Sequence, residues 1–405
     1  MSTPDYQQAL GRKIAAERRR RGLSQPELAR MIDRSVAWVS QVERGVRKVD
    51  RMSVLETLAT ALDVPLAELA AEAPVVAAVT GEPPGAAELR LVLSGAHVLR
   101  AMLGGGRAPA VRTLRARAGK AWELTHAGRY TELTGLLHRL VPDLETAARS
   151  AAEDHRAEAF ELLATTYQAC SAALAKLGEP DVAWIAADRA MSAAERAVDP
   201  LLVAAGAYRL VFVFIAARHY GQAEETVRTA ADALRPMAEE GNPQAMSLWG
   251  GLTLQRAVIA ARVNDADTAY AQLEQAGRIA GELGEGRNDY NTEFGPANVG
   301  LYEIAIAVEL GDAGRALRVA AAVDTTGLSA ERRARMLIDV ARAHAQRRQV
   351  GQAVAALREA EEITPEQVRS HELVRQLVSD LLTMHEPPTG ELRELAGRLT
   401  AANSS

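Results

Sequence analysis

The stretch GLSQPELARMIDRSVAWVSQVERG, residues 22–45, decides how this chain reads. Ser24 can cap a helix, and Glu27 three residues on completes an S-x-x-E capping box. Pro26 falls in the first turn, where a missing N–H costs little. Leu28, Ala29 and Ile32 line one face of that helix. Asp33 takes the tight turn and Ser35 caps a second helix, in which Val39 and Val42 face inward. Val36, Ala37, Ser40, Gln41 and Arg44 are left on other faces. Two short helices joined by a turn of three or four residues make a helix-turn-helix. The small Ala29 allows the second helix to cross close above the first.

Outward from this stretch, residues 5–70 read as five short helices. Residues 71–86 (AEAPVVAAVTGEPPGA) hold three prolines and two glycines and read as a linker. From 87 to 405 the pattern is helical almost throughout. Short turns recur at AGRY (127–130), LGEP (177–180), RHYG (218–221), VNDAD (263–267), LGDAG (310–314) and RRQVG (347–351). Their spacing, roughly 40 to 50 residues, is that of stacked helical hairpins. Gly178 and Gly311 stand where a helix must stop, and Ala223, Ala269, Ala316 and Ala353 follow where two helices must approach. The expected fold is all-α: a five-helix domain over 1–70, the linker 71–86, and an α-solenoid over 87–405 with a concave inner face.

Composition agrees. Aromatics are 4% of the 405 residues and alanine is abundant, which favours closely packed helices over sheets. The net charge of −5 hides an asymmetry: residues 1–72 carry 12 Lys+Arg against 10 Asp+Glu, the remainder 35 against 42. A slightly basic head on an acidic body suits local contact with nucleic acid. The single cysteine, Cys170, reads as a small core residue and fits a reducing compartment. No apolar run reaches 18 residues and the N-terminal stretch is polar, so a cytoplasmic location is expected, with no membrane partner. No two histidines lie within four residues of each other, and Gly104–Gly106 lacks the Lys-Ser/Thr ending of a phosphate loop. No catalytic residues, metal site or cofactor are expected.

Through LSQPELA, VSQVERG and SVLETLATALDV, residues 8–70 resemble the helix-turn-helix of the phage Cro/C1-repressor class, the xenobiotic-response-element family. The resemblance implies a sequence-specific transcription regulator whose partner is a double-stranded DNA operator. The family usually has Gly where this chain has Asp33, which tolerates left-handed geometry better than most residues. It commonly has a hydrophobic residue at Arg34. By resemblance, Gln25 bonds a phosphate, and Ser35, Val36, Ala37, Ser40 and Gln41 face the bases. Gln41 leads these, because its amide can bond adenine bidentately. Arg44, Arg47 and Lys48 would contact phosphates, positioning the domain without reading sequence. Trp38 would pack on a backbone sugar or cover the neighbouring helix. The run Arg18–Arg21 is either a phosphate clamp or a solvated helix end favoured by the dipole.

In the body, LGDAGRAL (310–317) resembles tetratricopeptide repeats, although the steps here are longer. The first helix of each hairpin would line the concave face. That places Tyr208, Phe212, Asn298, Leu301, Arg335 and Arg342 inward, with Leu210, Val211 and Phe214 in the hairpin core. Aromatic, amide and guanidinium groups round one groove suit a peptide or polar small-molecule effector. In RNDYNTEFGPANVGLYE (287–303), Asn288, Asp289, Tyr290 and Asn291 form either a wall of that site or a long inter-repeat loop. The domain order resembles actinobacterial regulators with this head and a tetratricopeptide-like body. It is also similar to peptide-sensing quorum regulators of Gram-positive bacteria, which implies a secreted peptide as effector. A homodimer is expected, joined through helices near 87–127 or 366–402. The alternative is a body that docks a protein partner and takes no small ligand.

Overall fold

A computed structural model describes residues 3–47, 49, 52–64, 69, 86–103, 108–150, 153–384 and 388–401. Nearly all of the linker assigned to 71–86 lies outside these residues, as do Lys48 and Gly104–Gly106. The chain divides into two units, Met1–Thr80 and Gly81–Ser405. No strand occurs among the described residues, and none of their helices is long and apolar enough to cross a membrane.

The head contains α1 (Thr3–Arg20), α2 (Gln25–Met31), α3 (Val36–Glu43) and α4 (Met52–Leu62). Of the expected fifth helix only Leu69 is described; it is helical and buried. The capping box at Ser24 and Glu27 forms in both directions, and Ser35 Oγ accepts from the Trp38 N–H. Asp33 sits at φ 51°, the left-handed turn conformation expected of it. Leu28, Ala29, Ile32, Val39 and Val42 are all buried together with Leu10, Ile14 and residues of α4. The close approach under α3 is made by Gly11 as well as Ala29. A Cβ on Gly11 would lie 2.4 Å from the Val42 carbonyl oxygen and 2.8 Å from that of Glu43.

The body opens with α5 (Ala86–Val92) and α6 (Ala96–Leu103). Six helical hairpins follow among the described residues. They are α7 (Val111–His126) with α8 (Tyr130–Ser150), α9 (Glu153–Lys176) with α10 (Pro180–Ala197), and α11 (Pro200–Ala216) with α12 (Tyr220–Glu239). Next come α13 (Pro243–Arg262) with α14 (Ala266–Leu283), α15 (Pro296–Leu310) with α16 (Ala313–Ala320), and α17 (Ala330–Gln346) with α18 (Val350–Ile363). Three helices end the chain: α19 (Pro365–Ser370), α20 (Glu372–Met384) and α21 (Gly390–Ala401). All six expected turns lie inside hairpins, and each contains one left-handed residue: Gly128, Gly178, Arg218, Asn264, Gly311 or Arg348. Ala223, Ala269, Ala316 and Ala353 are fully buried where paired helices meet. The apolar core is a series of clusters between successive hairpins, as expected when no hairpin can bury its own apolar face.

The array curls until its first hairpin meets its last. The Thr131 backbone N–H and hydroxyl both donate to Glu366 Oε2, at 2.8 and 2.9 Å. Gly128 lies so close to Thr364 that a Cβ there would meet its Cγ2 at 2.8 Å. Lys176 Nζ of α9 pairs with Glu331 Oε2 of α17 at 2.8 Å. The segment 284–295 between α14 and α15 crosses inside this curl. Tyr290, Asn291 and Glu293 all have positive φ, at 50°, 58° and 52°. Such backbone costs on the order of 1 kcal/mol or more per residue, and persists only where surrounding contacts enforce it. Here Arg209 Nη2 donates to the Tyr290 and Asn291 carbonyls at 3.2 and 2.7 Å, and Glu293 accepts from Ser329 and Arg332. The Phe294 ring lies on Gly250, where any Cβ would collide with it at 2.0 Å.

Candidate nucleic-acid interface and ligand groove

The head's outward face is the first two turns of α3. Ser35, Val36 and Ala37 are exposed, and Ser40 and Gln41 are half-buried at its edge. Arg44 and Arg47 are exposed beyond the helix end. Arg44 Nε donates to the Ser40 carbonyl, extending the helix C-cap. Trp38 is half-buried against the head core, and the Arg34 guanidinium stands 5.9 Å from its ring. Of its two expected roles, covering the neighbouring helix is the one this packing matches.

Gln25 is engaged inside the head: its Nε2 donates to Glu43 Oε2 at 2.7 Å. Arg18 reaches the same carboxylate through Nε and Nη2, at 2.6 and 2.9 Å, and donates to the Leu23 carbonyl. Burial works against charge on Glu43, but the bonds from Arg18 and Gln25 outweigh it and hold the carboxyl below its usual range. Arg21 donates to the Ala61 carbonyl at 2.6 Å. Arg18 in α1 and Arg21 just beyond it are therefore ties to the rest of the head, so neither a free clamp nor a wholly solvated helix end describes these two arginines. Sequence reasoning missed this network because it joins residues 18, 25 and 43, which no local pattern connects.

The body encloses a groove of about 500 Å³, within the usual range for small-molecule sites. Phe212, Asn298, Leu301, Arg335 and Arg342 line it, as expected from counting back along the first helices. Two expected residues do not. Tyr208 is buried in the hairpin core, edge-on to Phe212 at 5.2 Å, with its carbonyl accepting from Gln255 Nε2. Asn291 serves the crossing segment, its carbonyl held by Arg209. None of Asn288, Asp289, Tyr290 and Asn291 lines the groove. The backbone of Tyr290 and Asn291 is committed to left-handed bends and to Arg209. Val211 and Phe214 are core residues as expected, and Leu210 packs partly buried between two clusters.

The groove also takes residues beyond those expected from the sequence. Arg209, Gln255, Tyr302 and Asp339 are buried, and each stands nine positions before the left-handed turn residue of its own hairpin. That shared register was a usable signal, since polar residues recur at an inward position in four consecutive hairpins. Charges on the walls are interlocked. Asp339 accepts from Arg342 at 2.8 Å and Arg335 at 3.3 Å, and Arg342 also reaches Glu309. Burial opposes charge on Glu331, but Lys176 and Arg332 overcome it and hold its carboxyl down at about 2. Burial pulls His371 down to about 3, helped by Arg335. It also pulls His126, 4.0 Å from Glu293, down to about 4. Cys170 is fully buried, which pushes its thiol up to about 12, in keeping with a core role.

Known proteins add one firm match. Residues 9–71 fit the family described as a helix-turn-helix domain. No curated protein matches the chain. Among solved structures, Bacillus thuringiensis PlcR in complex with the peptide PapR7 and DNA is similar at 15% identity. The match covers 68% of this chain and 95% of that one, with a TM-score of 0.26, too low to transfer any feature. With its capped helices, its left-handed turn at Asp33 and this family match, the head of the chain is a helix-turn-helix domain, followed by an all-helical array of hairpins.

Proposed function

We propose that the chain is a homodimeric, sequence-specific transcription regulator whose helical array receives a peptide or small-molecule effector. The observation that carries the reading is the face of α3. A helix fixed by the Ser35 cap and by buried Val39 and Val42 turns Val36, Ala37, Ser40 and Gln41 away from the core. In a helix-turn-helix those positions enter the major groove, where side chains meet base edges. Ser35 and Gln41 read bases. Gln25, Arg44 and Arg47 contact phosphates, as does Lys48 of the expected set, which lies outside the described residues, and Gln25 would first have to share or release Glu43. Of the two surfaces considered for dimerisation, the one on α5 and α6 exposes Leu91, Leu99, Met102 and Leu103. Leu392, Leu395 and Leu399 of α21 are instead buried in the body's own core.

The effector reading draws on the enclosed groove, with Phe212, Asn298, Arg335 and Arg342 on its walls. A scaffold for a protein partner would call for a broad open face, whereas here the curl closes at Thr131 and Glu366. Effector and operator would be coupled, each changing the affinity for the other by the same factor. The test is selection of bound DNA from a random pool by the full-length protein at two salt concentrations. An enriched inverted repeat that survives moderate salt supports a dimeric reader. Binding without enrichment, or lost entirely with salt, would show that phosphate contacts alone hold the DNA and would overturn the reading.

A further inference from the structure

Among the described residues, Arg209 is a buried cation that forms no ion pair. Its residue is 6% exposed, and among the described residues no carboxylate comes within ion-pair distance, 4.0 Å. Nη2 is spent on the Tyr290 and Asn291 carbonyls, while Nε is buried and meets no acceptor. Aromatic faces supply partial compensation, Trp122 at 4.7 Å and Tyr208 at 5.0 Å from the guanidinium. Burial, helped by the like charge of Arg332 and opposed at longer range by Glu293, pulls its pKa down to about 10, which still leaves it charged at neutral pH. A buried charge without a counterion is costly, and proteins retain one where something else supplies the missing charge.

The surroundings repeat the same deficit. The groove walls carry seven Lys and Arg against four Asp and Glu, in a body where acids outnumber bases. Two buried amides on the walls are also half satisfied. Gln255 Nε2 donates to the Tyr208 carbonyl and Asn298 Nδ2 to that of Thr292, but the oxygens Oε1 and Oδ1 meet no donor. Leaving such acceptors unpaired in a buried site is costly, because they have given up water without gaining a donor. The walls thus lack one anion and two N–H donors.

Resting on the reading of the array as the effector-receiving part, we infer that its ligand is a small molecule bearing an oxyanion, carboxylate or phosphate. The oxyanion seats on Arg209, and amide N–H groups point to Gln255 and Asn298. Because Arg209 also holds the strained backbone at Tyr290 and Asn291, the ligand touches a residue that fixes the segment between α14 and α15.

The experiment is thermal unfolding of the full-length protein at constant ionic strength, with three probes titrated separately. They are inorganic phosphate, N-acetylglutamate and the neutral diamide of N-acetylglutamate. A saturable rise in Tm of about 2 °C or more near ten times Kd is expected from at least one anion and not from the diamide. The stronger anion identifies phosphate or carboxylate as the source of the charge. Arg209→Gln should abolish the rise, whereas Arg235→Gln, on an exposed arginine paired with Asp232, should keep it. Should Arg209→Gln fail to fold, Asn298→Asp serves instead: its added carboxylate should weaken the anion at least tenfold. No response to either anion, an equal response to the diamide, a rise that survives Arg209→Gln, or, where that variant does not fold, a rise undiminished in Asn298→Asp overturns the inference. Operator selection with the same preparation, without added anion, is independent. Enriched DNA with no anion response removes only the ligand class, and failed enrichment removes the regulator reading itself.

Discussion

Lys176 and Glu331, 155 positions apart, form an ion pair of 2.8 Å in the lining of the groove, and Gln367 Nε2 donates to the same carboxylate at 3.3 Å. The Glu331 side chain is 4% exposed and that of Lys176 27%. Removing Lys176 leaves the buried Glu331 carboxylate with Arg332, at 3.8 Å, as its remaining counter-charge. Lys176→Met should therefore destabilise the body by roughly 3 kcal/mol, and the double change Lys176→Met with Glu331→Gln by clearly less. Urea unfolding followed by circular dichroism measures both. Equal losses in the two variants would mean that the pair does not couple the hairpins.

Gly11 has no room for a side chain beneath α3. Gly11→Ala must push α1 away from the Val42 and Glu43 carbonyls, at a cost of roughly 1–3 kcal/mol. Hydrogen exchange should quicken through residues 10–43 and stay unchanged in the body. Unchanged exchange in α3 would show that the two helices tolerate a wider spacing than their packing suggests.

Gln41→Ala should lower affinity for a selected operator by roughly 1–3 kcal/mol, the scale of a lost bidentate base contact, and relax selection at one base pair. Ser35→Ala removes the α3 cap and should cost about 1 kcal/mol of head stability in addition to any lost contact. Both variants should alter base preference when labelled operator is titrated at fixed salt, and urea unfolding separates them, since only Ser35→Ala should also lower head stability.

Acid should loosen the body in two stages. His126 and His371 are held down at about 4 and about 3, whereas an unfolded histidine titrates near 6.5. Between those values the unfolded chain binds more protons, so stability is complete above about pH 6.5 and falls as pH drops. The loss is up to roughly 2 kcal/mol per ring by pH 5. Glu331, at about 2, contributes stability that is present above about pH 4.3 and lost below it. His371→Asn should flatten the fall between pH 7 and pH 5. An unaltered slope in urea unfolding would exclude that ring.

Arg348 occupies the same left-handed turn position as Gly128, Gly178 and Gly311, at φ 59°. A side chain there costs roughly 1 kcal/mol relative to glycine. Arg348→Gly should raise stability by about that amount, read as a higher urea midpoint with unchanged slope. A lower midpoint would mean that the Arg348 side chain contributes more than its backbone strain removes.

Local chemistry by itself determined the elements and their order. The S-x-x-E box, Pro26, the Ser35 cap and the spacing of Leu28, Ile32, Val39 and Val42 specify the helix-turn-helix, because capping and helical period act over a few residues. The six hairpin turns were legible for the same reason, even though Arg218 and Arg348 stand where glycine would be easier to recognise. Inward positions on straight first helices could be counted, which located Phe212, Asn298, Leu301, Arg335 and Arg342. Only the tertiary structure decided how far the array curls, since small rotations between hairpins accumulate along the whole body. That curl sets Thr131 beside Glu366 and Lys176 beside Glu331, moves Tyr208 into the core, and turns Asn291 from a wall residue into a braced bend. It also leaves Arg209 buried beside Trp122 without a carboxylate, a relation between residues 87 positions apart that no local rule contains.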